Sequence, residues 1–190
     1  MELKKLTLGE FIAKGDNDYV FAVQYGKEFK MSVDSLNIGA LEDCSFGTIK
    51  DILMSMEGEF TFEDQLIAFK NILKDKKIRL DIMCLDFLQF VQELNYIKEC
   101  LIRLAENEVK LLSNATYDEI ADRARIGEDG KDLFQGLEVY MQLRQLVNED
   151  ITKIDEVQKM KYSDCLLELY TRNQITKFEK NYERLSRKKP

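Results

Sequence analysis

Hydrophobic positions along most of the chain recur at intervals of three and four residues, which is typical of amphipathic α-helices. Polar turns separate these stretches, and several stretches open on a Ser, Thr or Asp that can cap a helix N-terminus. The helices predicted from this pattern run from Thr7 to Ala13, Phe46 to Met56, Thr61 to Lys74, Asp81 or Asp86 to Ser113, Thr116 to Arg125, Asp132 to Val147, Ile151 to Met160, and Ser163 to Arg187.

One stretch near the N-terminus departs from the helical pattern. The segment from Tyr19 to Tyr25 is rich in aromatic and β-branched residues, and apolar side chains alternate between Glu28 and Val33. This arrangement predicts a β-hairpin, which must pack on something else because an isolated hairpin is marginally stable in water. The expected fold class is therefore mainly α, a multi-helix bundle-like domain with a small N-terminal β-hairpin.

Glycine usage divides the sequence near residue 58. Six of the nine glycines lie in residues 1–58, whereas the stretch from Glu59 to Ile126 contains none. We therefore expect a mixed N-terminal part, 1–58, which includes the hairpin, and a helical part, 59–190, the two forming one continuous folded unit. No repeat of fixed period is visible.

The longest predicted helix is unusual because its first half is apolar on most sides. Phe87, Phe90, Val91 and Leu94 cover more than one helix face. A helix that is apolar all round lies in the centre of a core or at a subunit contact. These four residues are therefore candidate interaction residues, and a central core helix is the alternative.

Charge is distributed unevenly. The chain carries a formal net charge of −7, yet the segment from Arg172 to Pro190 has seven basic and two acidic residues. The acidic remainder argues against a nucleic-acid-binding body, because binding to phosphates needs clustered Lys and Arg. The basic tail could contact nucleic acid or an acidic protein surface, or be a solvated helix end. Its candidate contact residues are Lys177, Arg184, Arg187, Lys188 and Lys189.

The residue types present exclude much enzyme chemistry. The chain has no histidine, which removes Ser-His-Asp and Cys-His catalysis and histidine metal sites. The segment from Gly127 to Lys131 resembles a phosphate loop only superficially, since Asp132 follows the lysine where Ser or Thr is needed. The four cysteines form no CxxC pair and are expected to be free thiols. We expect no enzyme activity, no cofactor and no metal site.

Several stretches together resemble small structural and assembly proteins of tailed bacteriophages, especially the crAss-like phages of the gut. The opening L-T-x-G-E-F of such proteins is matched by Leu6 to Ile12. The other matching stretches run from Ser45 to Ile52, Leu85 to Val91, Asn148 to Val157 and Lys161 to Asp164. The resemblance implies no catalytic residues.

The function expected from this resemblance is that of a non-enzymatic phage structural protein. It would be a ring-forming or adaptor virion component of the head–tail region or tail, such as a head–tail connector. One alternative is a tail assembly chaperone absent from the mature virion, and another is a cytosolic regulatory or adaptor module. The expected partners are other phage structural proteins and further copies of the chain. The expected location is the host cytoplasm during assembly and then the virion, without a membrane contact.

Overall fold

The structure is a computed structural model, and it describes residues 7–14, 36, 38–112, 126 and 136–187. Helices dominate these residues, and short 3-10 turns precede three of them. We number the described α-helices α1 Leu8–Lys14, α2 Phe46–Met56, α3 Phe62–Asp75, α4 Phe87–Leu112, α5 Glu138–Leu146, α6 Ile154–Gln158 and α7 Tyr162–Ser186.

Side-chain caps fix most of the early helix starts where the sequence predicts them. Thr7 and Glu10 form a reciprocal capping box, in which the Glu10 N–H donates to Thr7 Oγ1 at 3.2 Å and the Thr7 N–H donates to Glu10 Oε2 at 2.9 Å. Thr61 and Asp64 form a second capping box before α3. The Thr48 N–H donates to Ser45 Oγ before α2. The predicted starts of these three helices are confirmed.

Both candidate starts of the longest helix are used as caps. Asp86 Oδ1 accepts a hydrogen bond from the Leu88 N–H at 2.9 Å, which caps α4. Asp81 instead caps the 3-10 turn Ile82–Cys84 by accepting from the Met83 N–H at 3.1 Å. Asp81 therefore caps the 3-10 turn and Asp86 caps the helix that follows it, so α4 itself begins at Phe87.

The chain divides into two compact units. The first comprises Met1–Cys44 and Asp51–Leu104, and the second comprises Ser45–Lys50 and Ala105–Pro190. The change in glycine usage near residue 58 therefore falls inside the first unit. Each unit takes part of α2 and part of α4, so neither is a continuous segment of the chain.

Aromatic contacts organise the core of the first unit. Phe90 is fully buried and meets Phe69 and Phe62 edge-on, with ring centroids 5.3 and 6.2 Å apart. Phe11 of α1 stacks on Phe87, which is also fully buried. Edge-to-face and stacked aromatic pairs add to the stabilisation from buried area by about 0.5–1.5 kcal/mol each. Phe87 and Phe90 thus connect α4 to α1 and α3.

The second unit has a smaller described core around the start of α7. Tyr162 is fully buried and stacks on Phe46 at a centroid distance of 6.0 Å. One and two turns further along α7, Cys165 and Leu169 are buried on the same helix face. The remaining buried apolar residues of the described part of this unit are Ile49, Leu143, Val147 and Val157.

The fold-class prediction is wrong in its β-hairpin. The described residues are helical and contain no strand, and their extended pairing is limited to isolated bridges, such as those between Thr7 and Asp86 and between Ser45 and Lys161. The segment to which the hairpin was assigned, from Tyr19 to Val33, lies outside the described residues. Each of these two bridges joins single residues that directly precede helices, which is too short for a ladder.

Three later helix predictions need correction, and a fourth lies outside the described residues. The helix predicted from Asp132 is described only as α5, Glu138–Leu146. The last helix starts at Tyr162, one residue before the predicted cap Ser163. The predicted 151–160 helix is a 3-10 turn Ile151–Lys153 followed by α6. The helix predicted from Thr116 to Arg125 falls outside the described residues.

All four cysteines are free in the structure, but their surroundings differ. Burial raises the pKa of both Cys44 and Cys165 to about 11. Cys84 is exposed, and its hydrogen bond to Asp81 raises its pKa. Accessibility rather than acidity therefore separates Cys84 from the two buried thiols.

We expect a disulfide-exchange reagent at pH 8 to label Cys84 first in the folded protein and to label Cys44 and Cys165 only as the protein unfolds. The reason is that the reactive thiolate is scarce and inaccessible at the buried positions. Peptide mapping after timed labelling measures this order, and titration in denaturant without reductant should count four thiols. Labelling of Cys44 or Cys165 at the rate of Cys84 would contradict the described burial.

Candidate functional site

The four candidate interaction residues of the long helix are buried. Phe87, Phe90, Val91 and Leu94 lie in the first unit with almost no exposed surface. Their side chains contribute to packing there, as the central-helix alternative requires. No part of these four side chains is presented to a partner in this conformation.

The exposed candidate surface is instead the end of α7. Among the contacts between described residues, those of Arg172 and Asn173 are the last that anchor this helix within the second unit. Arg172 donates to Asn148 Oδ1 at 2.6 Å and also to backbone carbonyls at the C-terminal end of α5. Asn173 donates to the Leu112 carbonyl at 3.5 Å. Arg172 therefore caps α5 and is not part of a free basic tail.

Beyond these anchors, residues 174–187 are exposed except for the half-buried Lys177, and we call them the arm. At about 1.5 Å per residue the arm is about 20 Å long. It presents an apolar row at spacings of three, four and three residues. The row consists of Ile175, Phe178, Tyr182 and Leu185, whose side chains are 52, 68, 65 and 60% exposed.

Two side chains of the exposed apolar row pack on each other. Phe178 and Tyr182 stack on each other with ring centroids 6.2 Å apart. The spacing of the row is that of the a and d positions of a heptad, which pack against another helix in coiled coils. Soluble proteins rarely expose large apolar residues in such a contiguous row, which makes this row the candidate contact surface of the described residues.

The predicted basic contact residues lie around this row. Lys177 and Arg184 are on the arm, and Arg187 forms an exposed ion pair with Glu183 at 3.5 Å. Lys188 and Lys189 lie outside the described residues. The basic residues predicted as contacts thus lie beside the apolar row of the arm. The sequence pattern alone does not show that this row is exposed.

A buried ion pair that the sequence pattern does not predict lies inside the second unit. The buried ammonium of Lys50 on α2 pairs with the carboxylate of Glu108 on α4. Tyr162 Oη donates to Glu108 Oε2 at 2.6 Å, and Gln142 Nε2 donates to Glu108 Oε1 at 2.8 Å. The Lys50 ammonium also lies 5.5 Å from the Phe46 ring centroid.

The environment of Glu108 keeps it charged. Burial by itself would raise the pKa of its carboxyl, but the Lys50 charge and the hydrogen bonds from Lys50, Tyr162 and Gln142 together lower the pKa below its ordinary value. A carboxylate held in its charged form by three donors is poorly suited to accept a proton. The arrangement is that of a structural ion pair that joins α2, α4, α5 and α7 within the second unit.

Sequence periodicity contains a faint signal for this pair. Lys50 follows Phe46 by four residues, which places it on the buried face of α2 rather than on the solvent side. A charged residue on a buried helix face requires a partner of opposite charge. The sequence does not identify that partner as Glu108, because the two residues are far apart in the chain.

The described residues contain no cluster of three or more cysteine, aspartate or glutamate side chains placed to hold a metal ion. Among the described helices, none combines the length and the apolar character needed to cross a lipid bilayer. No protein-family model, curated protein or solved structure matches the chain.

Proposed function

We propose that this chain is a non-enzymatic component of tailed-phage assembly, a ring-forming or adaptor protein of the head–tail region or tail. It acts by binding other protein surfaces through the arm. The observation that carries the proposal is the exposed apolar row of the arm. Its four side chains have the spacing of a helix–helix contact, and the helix that bears them is fixed to the second unit at its base.

The charges of the arm favour an acidic partner. The arm carries four basic and two acidic residues, whereas the chain as a whole has a formal net charge of −7. Another copy of this chain, or a similarly acidic phage protein, would therefore attract the arm. Exposed ion pairs contribute only about 0.2–1 kcal/mol each, so the charges set the geometry and the rate of association, and the apolar row supplies most of the affinity.

A change of Phe178 and Tyr182 together to Ser is expected to weaken self-association or partner binding by about 100-fold. Burial of one large apolar side chain contributes about 1.5–3 kcal/mol, so two provide at least that factor. Leu167→Ser is the matched control, because Leu167 is 64% exposed on the same helix but lies before the arm. Sedimentation of the parent and both variants over a range of concentrations measures the effect.

The charge contribution is tested separately with Lys177→Glu and Arg184→Glu combined. Assembly of this variant should be weaker and less sensitive to salt, because the screening length falls from about 10 Å at 0.1 M to about 3 Å at 1 M. Identical sedimentation of all variants and the parent would leave the arm as a solvated helix end. It would also favour the regulatory-module alternative, in which the protein stays a monomer or small oligomer.

Mass spectrometry of purified phage particles distinguishes the two phage roles. A ring-forming or adaptor component is expected in mature particles in a fixed number of copies. A tail assembly chaperone would bind tail proteins in infected cells and be missing from the particles. Absence from both particles and assembly intermediates would contradict the proposed function.

A further inference from the structure

The charges beside the apolar row of the arm are sorted by sign. At about 3.6 residues per turn, Glu179 and Glu183 fall on one side of the row. Lys177 and Arg184 fall on the other side. We call the first pair the acidic flank and the second pair the basic flank. The arm therefore carries opposite charges along its two edges.

This sorting is unfavourable in an isolated helix. Glu179 and Glu183 are four residues apart, and like charges at that spacing destabilise a helix. The ion pair between Arg187 and Glu183, at 3.5 Å, offsets only part of this repulsion because it is open to solvent. The acidic flank therefore gains from a basic neighbour supplied by a second molecule.

The two flanks are complementary when two arms lie side by side and point the same way. A two-fold axis along the helices then sets the acidic flank of each copy against the basic flank of the other. At about 1.5 Å per residue, Lys177 and Glu179 differ in height by about 3 Å, and Glu183 and Arg184 by about 1.5 Å, so both pairs come nearly level. An antiparallel pair would instead set like charges against each other, which is unfavourable.

The residues closest to the apolar row also suit a parallel pair. With the row at positions a and d of a heptad, Gln174 and Asn181 occupy the g positions, and Glu179 and Ser186 occupy the e positions. In a parallel pair each g residue faces the e residue that lies five positions later in the other copy. Gln174 would therefore face Glu179, and Asn181 would face Ser186. Each combination offers a hydrogen-bond donor and an acceptor, and neither brings like charges together.

The arm is prepared for such a contact because its helix is already formed at the base. Arg172 and Asn173 fix the preceding part of α7 within the second unit, so the arm extends an existing helix and does not bear the cost of starting one. The row spans only two heptads, so the contact is weak between isolated molecules. It becomes effective where an assembly holds copies close together.

We propose that the arm pairs with the arm of a second copy in a parallel two-helix contact, in which the apolar rows meet and flanks of opposite charge lie together. This inference rests on the proposed function, in which the arm is the contact surface, and it names what covers the row. The acidic partner of the arm is then a second copy, whose Glu179 and Glu183 receive Lys177 and Arg184. Because the contact is two-fold symmetric, it joins copies in pairs and does not extend into a filament.

Two charge variants of the full chain test the pairing. Lys177→Glu/Arg184→Glu gives the arm two acidic flanks, and Glu179→Lys/Glu183→Lys gives it two basic flanks. Each variant alone should self-associate about tenfold more weakly than the parent, because the attractive pairs become repulsive. An equimolar mixture should recover association to within about threefold of the parent, since mixed pairs again bring opposite charges together. Sedimentation of each variant and of the mixture over a range of concentrations measures both effects.

Lys180→Glu/Arg187→Glu is the matched control. It makes the same change in net charge as the acidic-flank variant, but Lys180 and Arg187 lie on the side of the arm opposite the apolar row. Its association should stay within about threefold of the parent.

The outcomes separate this inference from the proposed function. Tighter association of the basic-flank variant, with no recovery in the mixture, would show that the arm binds an acidic surface other than a second arm. A parent chain that stays monomeric while it binds other phage proteins would also overturn the pairing, and in both cases the proposed function stands. If Phe178→Ser/Tyr182→Ser changes neither self-association nor partner binding, the arm is not a contact surface and both proposals are wrong.

Engineered cysteines test the direction of the two arms without a change of charge. Ile175→Cys and Leu185→Cys are made in separate full-length chains, each with Cys84→Ser and Cys100→Ser, and the two chains are mixed and oxidised. In a parallel pair each row position faces its own equivalent, so disulfides should join 175 to 175 and 185 to 185. In an antiparallel pair, position 175 would face position 185. Mixed disulfides between the two chains as the main product, or no disulfide at either position, would overturn the proposed parallel pairing.

Discussion

Phe90→Asp is expected to unfold the first unit or to lower its free energy of unfolding by well over 3 kcal/mol. Removal of the ring from between Phe62 and Phe69 alone costs about 3–5 kcal/mol, as for other Phe to Ala changes in cores. The carboxylate adds the cost of a buried charge without a partner. Since natural domains are stable by about 5–15 kcal/mol, this one change removes a large fraction of the total. Thermal and urea unfolding followed by circular dichroism measure it.

Ile102→Asp is the matched control for Phe90→Asp. Ile102 lies on the same helix in the same unit but is half exposed, so the new charge can stay hydrated. Its effect should stay within about 0.5 kcal/mol, as for most surface substitutions. An unchanged unfolding midpoint for Phe90→Asp would show that the Phe90 side chain reaches solvent, contrary to the described core.

Glu108→Ala is expected to destabilise the second unit by about 3–5 kcal/mol. The change leaves the buried Lys50 ammonium without its counter-charge and removes the acceptor for Tyr162 and Gln142. Glu106→Ala is the control, since Glu106 is exposed two residues earlier on the same helix. The double variant Lys50→Met/Glu108→Leu should recover the part of the loss that comes from the unpaired charge, because it removes both charges and keeps apolar volume. The part that comes from the lost acceptor of Tyr162 and Gln142 should remain.

The pH dependence of stability provides an independent check of this ion pair. The pKa of Glu108 is lower in the folded protein than in the unfolded chain, so its contribution to stability is complete above the unfolded pKa. That contribution disappears as the pH falls through the folded pKa. The double variant should therefore lose less stability between neutral and acidic pH than the parent. Equal acid sensitivity of the parent and the double variant would show that Glu108 gains nothing from Lys50.

Local signals in the sequence predict helices well because a cap acts within four residues of its own position. Ser45, Thr61 and Asp86 each satisfy a backbone N–H of the helix that follows, so their positions alone determine where that helix begins. Ser163 is the exception. The chain starts α7 one residue earlier because Lys161 pairs with Ser45, and this pairing is distant in sequence.

Non-local features could not be obtained in the same way. The periodicity of α4 identifies Phe87 and Phe90 as apolar, but it does not distinguish a core from a subunit contact, since both exclude water. The exposed row of the arm has the same three- and four-residue spacing as a buried face. Whether a row is buried depends on which distant segments of the chain pack against it. The C-terminal end of α5 contacts α7 at Arg172, whereas the apolar row beyond Arg172 is exposed.

The bridge between Ser45 and Lys161 has a consequence for the order in which the protein folds during synthesis. Ser45–Lys50 leaves the ribosome early, but Lys161, with which Ser45 pairs, follows only after most of the remaining chain. At about 5–20 residues per second, the delay is on the order of 6–23 s. During this time the rings and aliphatic groups of Phe46 and Ile49 lack their final cover, although the first unit can already close around Phe90. We therefore expect the nascent chain to pass through a half-folded stage in which these side chains are a defined hydrophobic target for a chaperone.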